Sequence, residues 1–192
     1  AYLESKADLV INGLNSSMTE AVRNEILFGL RNGQPFTATA ARLPELLAPW
    51  IGAGGNVDPA QLRPDRLLTI VRTISTDAYN QGRVIEARST KPAGLVTGMQ
   101  HSSVIDKVTT QICRSLQGKC YKIDDPALDT MTPPLHYRCR SILLPIVFTD
   151  DISDDPTAEF HWATPEELAE AQRIMPGQFG GSYQHTAKNA PK

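Results

Sequence analysis

The stretches T-T-Q-I-C-R-S-L-Q-G-K-C-Y-K-I-D-D-P (residues 109–126) and P-P-L-H-Y-R-C-R-S-I-L-L-P-I (residues 133–146) decide the fold. All three cysteines, Cys113, Cys120 and Cys139, lie in them, and so does His136, one of four histidines. Asp106 is placed to cap a short helix from Val108 to Leu116, and Gly118 to stop it. Lys119 to Ile123 alternates as a strand does. Asp124-Asp125-Pro126 predicts a turn. Pro133-Pro134 holds the chain extended into His136. Ser141 to Phe148 is apolar throughout and predicts a buried strand. The whole reads as helix, turn, strand, loop and strand.

Three chemistries fit these side chains. The order C-x6-C-x15-H-x2-C, through Cys113, Cys120, His136 and Cys139, offers four soft or borderline ligands for tetrahedral zinc. It is looser than a knuckle, because Cys-x6-Cys is wider than Cys-x2-Cys. A second reading pairs a cysteine with His136 as nucleophile and base, but no oxyanion hole is marked locally. The third treats the cysteines as small buried apolar residues, with His136 hydrogen-bonded in the core and Arg140 bracing its loop.

Toward the N-terminus the chain turns helical. Leu9, Ile11, Leu14, Met18, Val22, Ile26, Leu27 and Leu30 recur at three- and four-residue steps, which predicts a helix over 8–31. Asn32-Gly33 stops it, and Pro35 follows. Thr39 to Trp50 reads as a second helix, which Pro44 kinks or starts. I-G-A-G-G-N (residues 51–56) has neither phosphate-loop spacing nor a Lys-Ser/Thr, so it reads as a hinge. Asp58-Pro59-Ala60-Gln61 resembles a helix start. Residues 65–88 predict one long helix whose apolar face carries Leu67, Ile70, Val71, Ile74, Ala78 and Ile85. Gly82 falls on that face and suggests close approach by another element. The other side carries Arg72, Thr73, Thr76, Asp77, Asn80 and Arg83. Two readings stand for this stripe: an ordinary exposed face, or, since short hydrogen-bonding groups are unusual on a solvated face, a surface that docks the cysteine-bearing segment or a partner.

Beyond the second strand, T-D-D-I-S-D-D-P (residues 149–156) reads as a solvated acidic linker. Its spacing is not that of a calcium loop. Thr164-Pro165-Glu166-Glu167 is a capping box opening a helix to about Ile174. The polar remainder to Lys192 suits an arm that orders on a partner.

Bulk properties narrow the classes. The 192 residues can hold one good core. With 19 basic and 21 acidic residues the net charge is −2, which does not favour a nucleic-acid protein. No apolar run approaches the roughly 18 residues that span a bilayer, and there is no signal-peptide pattern. Three cysteines do not make a secreted disulfide framework. The chain begins at Ala1 without a methionine, as a processed or excised piece would.

Three blocks in register carry a resemblance: Arg72-Thr73, Asn80, Gly82 and Arg83; then Asp106, Thr109, Cys113, Leu116 and Gly118; then Pro133, Pro134, His136, Cys139 and Arg140. Over roughly 65–147 the chain resembles the Mu F-like minor head proteins of tailed bacteriophages, also called head morphogenesis proteins. Two positions depart from the family pattern. Thr110 stands where a first cysteine often lies, and Ser141 where the final cysteine of C-R-C would be. Any metal site implied by the pattern has lost part of its set here.

The expected fold is α+β, with an N-terminal helical part, one long helix packed on a small β-hairpin or sheet, and an extended C-terminal arm. The expected divisions are a helical region over 1–57, a Mu F-like core over 58–148, and an acidic linker, short helix and flexible arm over 149–192. The resemblance implies a structural, non-enzymatic minor capsid protein, active in head morphogenesis and DNA packaging near the portal. Its implied partners are the portal or the major capsid protein. Its implied location is the virion, in the capsid interior or near the portal, and the host cytoplasm during assembly. No membrane and no small-molecule substrate are expected. No cofactor is expected, zinc being the one its residues could hold. Two alternatives remain: an internal head protein holding packaged DNA through Arg72, Arg83, Arg138 and Arg140, and an enzyme or toxin-associated domain.

Overall fold

The computed structural model describes residues 16–50 and 62–175, and the fold is α+β. Two compact units emerge. The first comprises the described residues through Ala78 together with Tyr137–Cys139; the second comprises Tyr79–His136 and the described residues from Arg140 onward.

In the first unit, α1 (Ser16–Arg31) and α2 (Phe36–Leu47) precede a 3-10 turn, Ala48–Trp50, and the start of α3 (Pro64–Thr90). α1 stops where Asn32-Gly33 predicts: Gly33 takes a φ of 61°, and the Gln34 N–H returns to the Gly29 carbonyl at 2.9 Å. α2 starts earlier than expected, directly after Pro35, and carries Pro44 inside it. The core is the apolar stripe read from the sequence. Met18, Val22 and Ile26 from α1, Leu43 and Leu47 from α2, and Leu67, Ile70, Val71 and Ile74 from α3 form one buried cluster. α1 and α2 come into close contact at Gly29, where an added Cβ would lie 2.3 Å from Thr39 Oγ1.

The second unit is built on a four-stranded sheet of order β3-β1-β2-β4. Its strands are β1 (Val96–Ser102), β2 (Lys119–Lys122), β3 (Ile142–Val147) and β4 (His161–Trp162). β1 pairs antiparallel with β2 and β3, whereas β4 runs parallel to β2. Three helices accompany it: α4 (Gln111–Leu116), α5 (Pro126–Met131) and α6 (Pro165–Ile174). α5 was not foreseen, although its start is plain in the sequence. Asp125 Oδ1 accepts the Ala127 N–H at 2.8 Å, and Pro126 occupies the first turn, where its missing N–H costs nothing.

Several expectations are corrected. β3 is an edge strand rather than a buried one; Leu143 and Ile146 are buried while Leu144 and Val147 are exposed. A strand that offers only one face to a core alternates, even when its sequence is apolar throughout. Gly82 is exposed, with nothing within 4 Å of a Cβ built on it. Ile85 is 66% exposed, and Val84 and Ala87 take the inner face instead. A one-residue offset turns a helical side chain by about 100°, which moves Ile85 off the face. Asp106 does not cap the helix after it: α4 opens only at Gln111, behind Thr110. The residues after the acidic stretch hold a strand that was not foreseen, β4, and α6 carries the predicted capping box between Thr164 and Glu167. Residues 8–15 of the first predicted helix, the 51–56 loop, the Asp58–Gln61 cap and the tail from Pro176 lie outside the described residues.

Candidate functional site

The polar stripe of α3 is where the cysteine-bearing segment is held. In the first unit, the Arg138 N–H donates to Thr73 Oγ1 at 3.2 Å, and its side chain reaches Thr69 Oγ1 at 2.6 Å and the Asp65 carbonyl at 2.8 Å. Thr76 Oγ1 donates to the Cys139 carbonyl at 3.2 Å. In the second unit, fully buried Asn80 donates from Nδ2 to the Ser141 carbonyl at 3.2 Å and accepts the Leu143 N–H at 2.8 Å. One amide thus satisfies a donor and an acceptor of the β3 backbone that have no water to turn to. Docking by short hydrogen-bonding groups is the second of the two readings of the stripe. The residue whose backbone N–H reaches Thr73 is Arg138.

Arg140 acts elsewhere. It forms a two-pronged pair with Asp106, Nη1 to Oδ2 and Nη2 to Oδ1, both at 2.7 Å. Asp106 also accepts from Thr109 Oγ1 and the Val108 N–H. Arg140 first, and Thr109 second, hold the Asp106 carboxyl far below the usual carboxylate range. Arg114, unnoticed in the sequence, donates to the carbonyls of Asp106 and Thr109. These contacts shape the loop leading into α4. At the other end of α4, Gly118 takes a φ of 81°, and a Cβ there would meet the Glu159 carbonyl oxygen at 2.3 Å. Only glycine fits that position.

Inside this frame lie the ligand-type side chains. Cys113, on α4, places Sγ 3.1 Å from His136 Nε2. Cys139 follows His136 by three residues and belongs to the first unit, whereas Cys113 and His136 belong to the second. Both cysteines are buried. Pro134, which enters this loop, follows a cis peptide bond after Pro133. Cys120, the fourth residue of the sequence-derived set, sits on β2 with Sγ directed at the Gly118 carbonyl, 3.4 Å away, and burial pushes its thiol up to about 11.

A cavity of about 20 Å³ adjoins the Cys113–His136 pair, lined by Thr110, Cys113, His136, Ser141 and their neighbours. Ser141 Oγ is bonded to Ser103 Oγ at 2.8 Å. Thr110 Oγ1 is buried and has no hydrogen-bond partner. The two positions where the family pattern has cysteines therefore face the same space as Cys113 and His136. Sequence order alone could not show that. A cavity of this size holds about one water molecule.

A second titratable cluster was also missed. The Lys119 ammonium lies 2.8 Å from His161 Nε2 and pairs with Glu167, while His161 Nδ1 donates to the Ala158 carbonyl at 2.7 Å. Burial alone would raise Glu167. Hydrogen bonds from Lys119, the Thr164 N–H and His161 outweigh it and hold the carboxyl below its ordinary range. The cluster fastens α6 to β2 and β4. Arg72 and Arg83 are exposed, whereas Arg138 and Arg140, invoked with them for DNA, are engaged within the chain.

A family model described as Phage Mu protein F like protein matches residues 20–144. No curated protein and no solved structure shows a match.

Proposed function

Because the chain belongs to the Phage Mu protein F like family, a structural family of phage head morphogenesis, we propose that it is a minor capsid protein acting near the portal during head assembly and DNA packaging. The observation that carries the reading is the family match, which spans α1 to β3 and so takes in the stripe, the loop and the ligand-type residues. The architecture is in keeping with a scaffold: α3 presents a row of Thr and Asn groups, and a loop is fastened along it. No helix among the described residues is long and apolar enough to cross a membrane.

The expected partners are other head components, the portal and the major capsid protein foremost. Val104, Ile105 and Val108 leave apolar surface exposed on the loop before α4, of the kind that suits protein contact. The test is location. Proheads and mature particles purified from infected cells should contain the chain in fixed stoichiometry to the portal, and labelled antibody should mark one vertex. A chain found free in the lysate and absent from both particle types would overturn the proposal.

A further inference from the structure

We propose that Cys113 is a site of oxidation by hydrogen peroxide, with His136 as the base that takes its proton and Thr110 as the hydroxyl that holds the oxidant. The inference goes beyond the assembly role and does not depend on it. All three residues belong to the second unit. Cys113 Sγ lies 3.1 Å from His136 Nε2. At that distance the imidazole can draw off the thiol proton and leave the thiolate, the reactive form of cysteine. Cys113 is itself buried, but it shares its cavity with Val104 and Val108, which are exposed. The cavity therefore leads from the surface to the sulfur.

Thr110 points to what enters. It is the N-cap of α4, where a threonine hydroxyl ordinarily accepts a helix N–H, yet its side chain makes no such bond. Its Oγ1 is buried, lines the cavity and has no hydrogen-bond partner among the described residues. A buried hydroxyl in that state calls for a polar guest. The cavity, about 20 Å³, suits a guest little larger than water. Hydrogen peroxide meets both demands, being the smallest peroxide and able to donate and accept. The thiolate attacks the nearer peroxide oxygen as the O–O bond breaks. Sulfur is oxidised to the sulfenic acid. The peroxide is reduced, and the departing hydroxide takes the proton from the His136 imidazolium and leaves as water. Cys120 has no such setting: its Sγ is directed at the Gly118 carbonyl, and burial pushes its thiol up to about 11.

The test uses the full chain, purified under reducing conditions, freed of reductant and kept with a metal chelator. Hydrogen peroxide is added with dimedone, which traps sulfenic acids, and the adduct is mapped by mass spectrometry. The adduct is expected on Cys113, forming faster in the native chain than in chain unfolded in urea. Cys113→Ser should abolish it, and Cys120→Ser should leave it unchanged. His136→Asn should slow it about a hundredfold, the scale of a positioned proton transfer. Thr110→Val should slow it about tenfold, the scale of one hydrogen bond, and Thr110→Ser should restore the rate. tert-Butyl hydroperoxide, too large for the cavity, should gain nothing from the native fold. If the variants do not fold, the comparison of native with unfolded wild-type chain decides the matter. No adduct, an adduct formed first on Cys120 or Cys139, or a native rate no greater than the unfolded one overturns the proposal. So does an equal gain with tert-butyl hydroperoxide, or an undiminished rate in folded His136→Asn or Thr110→Val.

Discussion

Arg138 is the one described residue other than glycine with positive φ, at 59°. A left-handed conformation costs an ordinary residue about 1 kcal/mol, and here three hydrogen bonds hold it there. Arg138→Ala keeps the backbone cost and loses the side-chain bonds to Thr69 and Asp65, so it should destabilise by about 1–2 kcal/mol. Arg138→Gly loses the same bonds but relieves the backbone. It should therefore be the more stable variant in urea unfolding, the reverse of the usual order for the two residues. Equal midpoints would mean that the backbone there carries no strain. Asn80 poses the opposite case, because its side chain is wholly buried. Asn80→Ala strands the Ser141 carbonyl and the Leu143 N–H together and should cost about 3 kcal/mol, a larger loss than at the exposed Arg138. A loss under about 1 kcal/mol, measured by the same unfolding, would show that water or a backbone shift replaces the amide.

At the level of elements, α1 and α2 test the meaning of Gly29. Gly29→Ala forces a methyl against Thr39 Oγ1, a buried β-branched side chain with little room to turn. It should lower the melting temperature, and Thr39→Ala should restore part of the loss in the double variant. Simple additivity of the two substitutions would deny the contact. α6 is held differently. Glu167 titrates below the ordinary 4.5 when folded, so its contribution is complete above that value and fades as pH falls through the lower, folded value. Hydrogen exchange of the α6 amides should be flat from neutral pH down to about 5, once the intrinsic rate is divided out, and then accelerate in acid. Glu167→Gln should exchange faster at neutral pH and lose that acid step. An acid step unchanged in Glu167→Gln would assign it to another group. The helix itself was legible, since a capping box is a local code. Its attachment was not, because Lys119 and His161 lie 42 residues apart and neither stands out as a charge run or a motif. α5 was legible and overlooked: Asp125-Pro126 carries the same cap-and-proline signature. β3 and Ile85 were misjudged for a different reason. Apolar composition marks a residue as able to be buried, while the choice of face depends on what packs there. For the ligand-type residues, the spacing named four candidates, and only the fold shows Cys120 on β2 with its thiol directed at the Gly118 carbonyl.

The whole molecule is interleaved rather than sequential. The first unit takes Tyr137–Cys139 from far along the chain, and the second begins partway through α3. Sequence reading divides a chain into consecutive blocks, so this arrangement was out of its reach, even though every described helix but α5 was found, and β2 and β3 among the strands. It has a consequence for truncation. A fragment ending at Met131 keeps every helix of the first unit and its apolar core. It loses Arg138, and with it the bonds to Thr69, Thr73 and Asp65. It loses β3, which pairs with β1 over Val96–Ser102, and β4, the parallel neighbour of β2. The sheet is then reduced to the two-stranded β1–β2 pair, which is marginal alone in water. The fragment should thus retain much of its helical circular dichroism yet lose protection of the β1 and β2 amides. Its helical melt should also shift several degrees downward, because about 1–2 kcal/mol is gone from the first unit as well. A fragment that melts at the full-length temperature, with β1 still protected, would show that the two units are set by consecutive sequence after all.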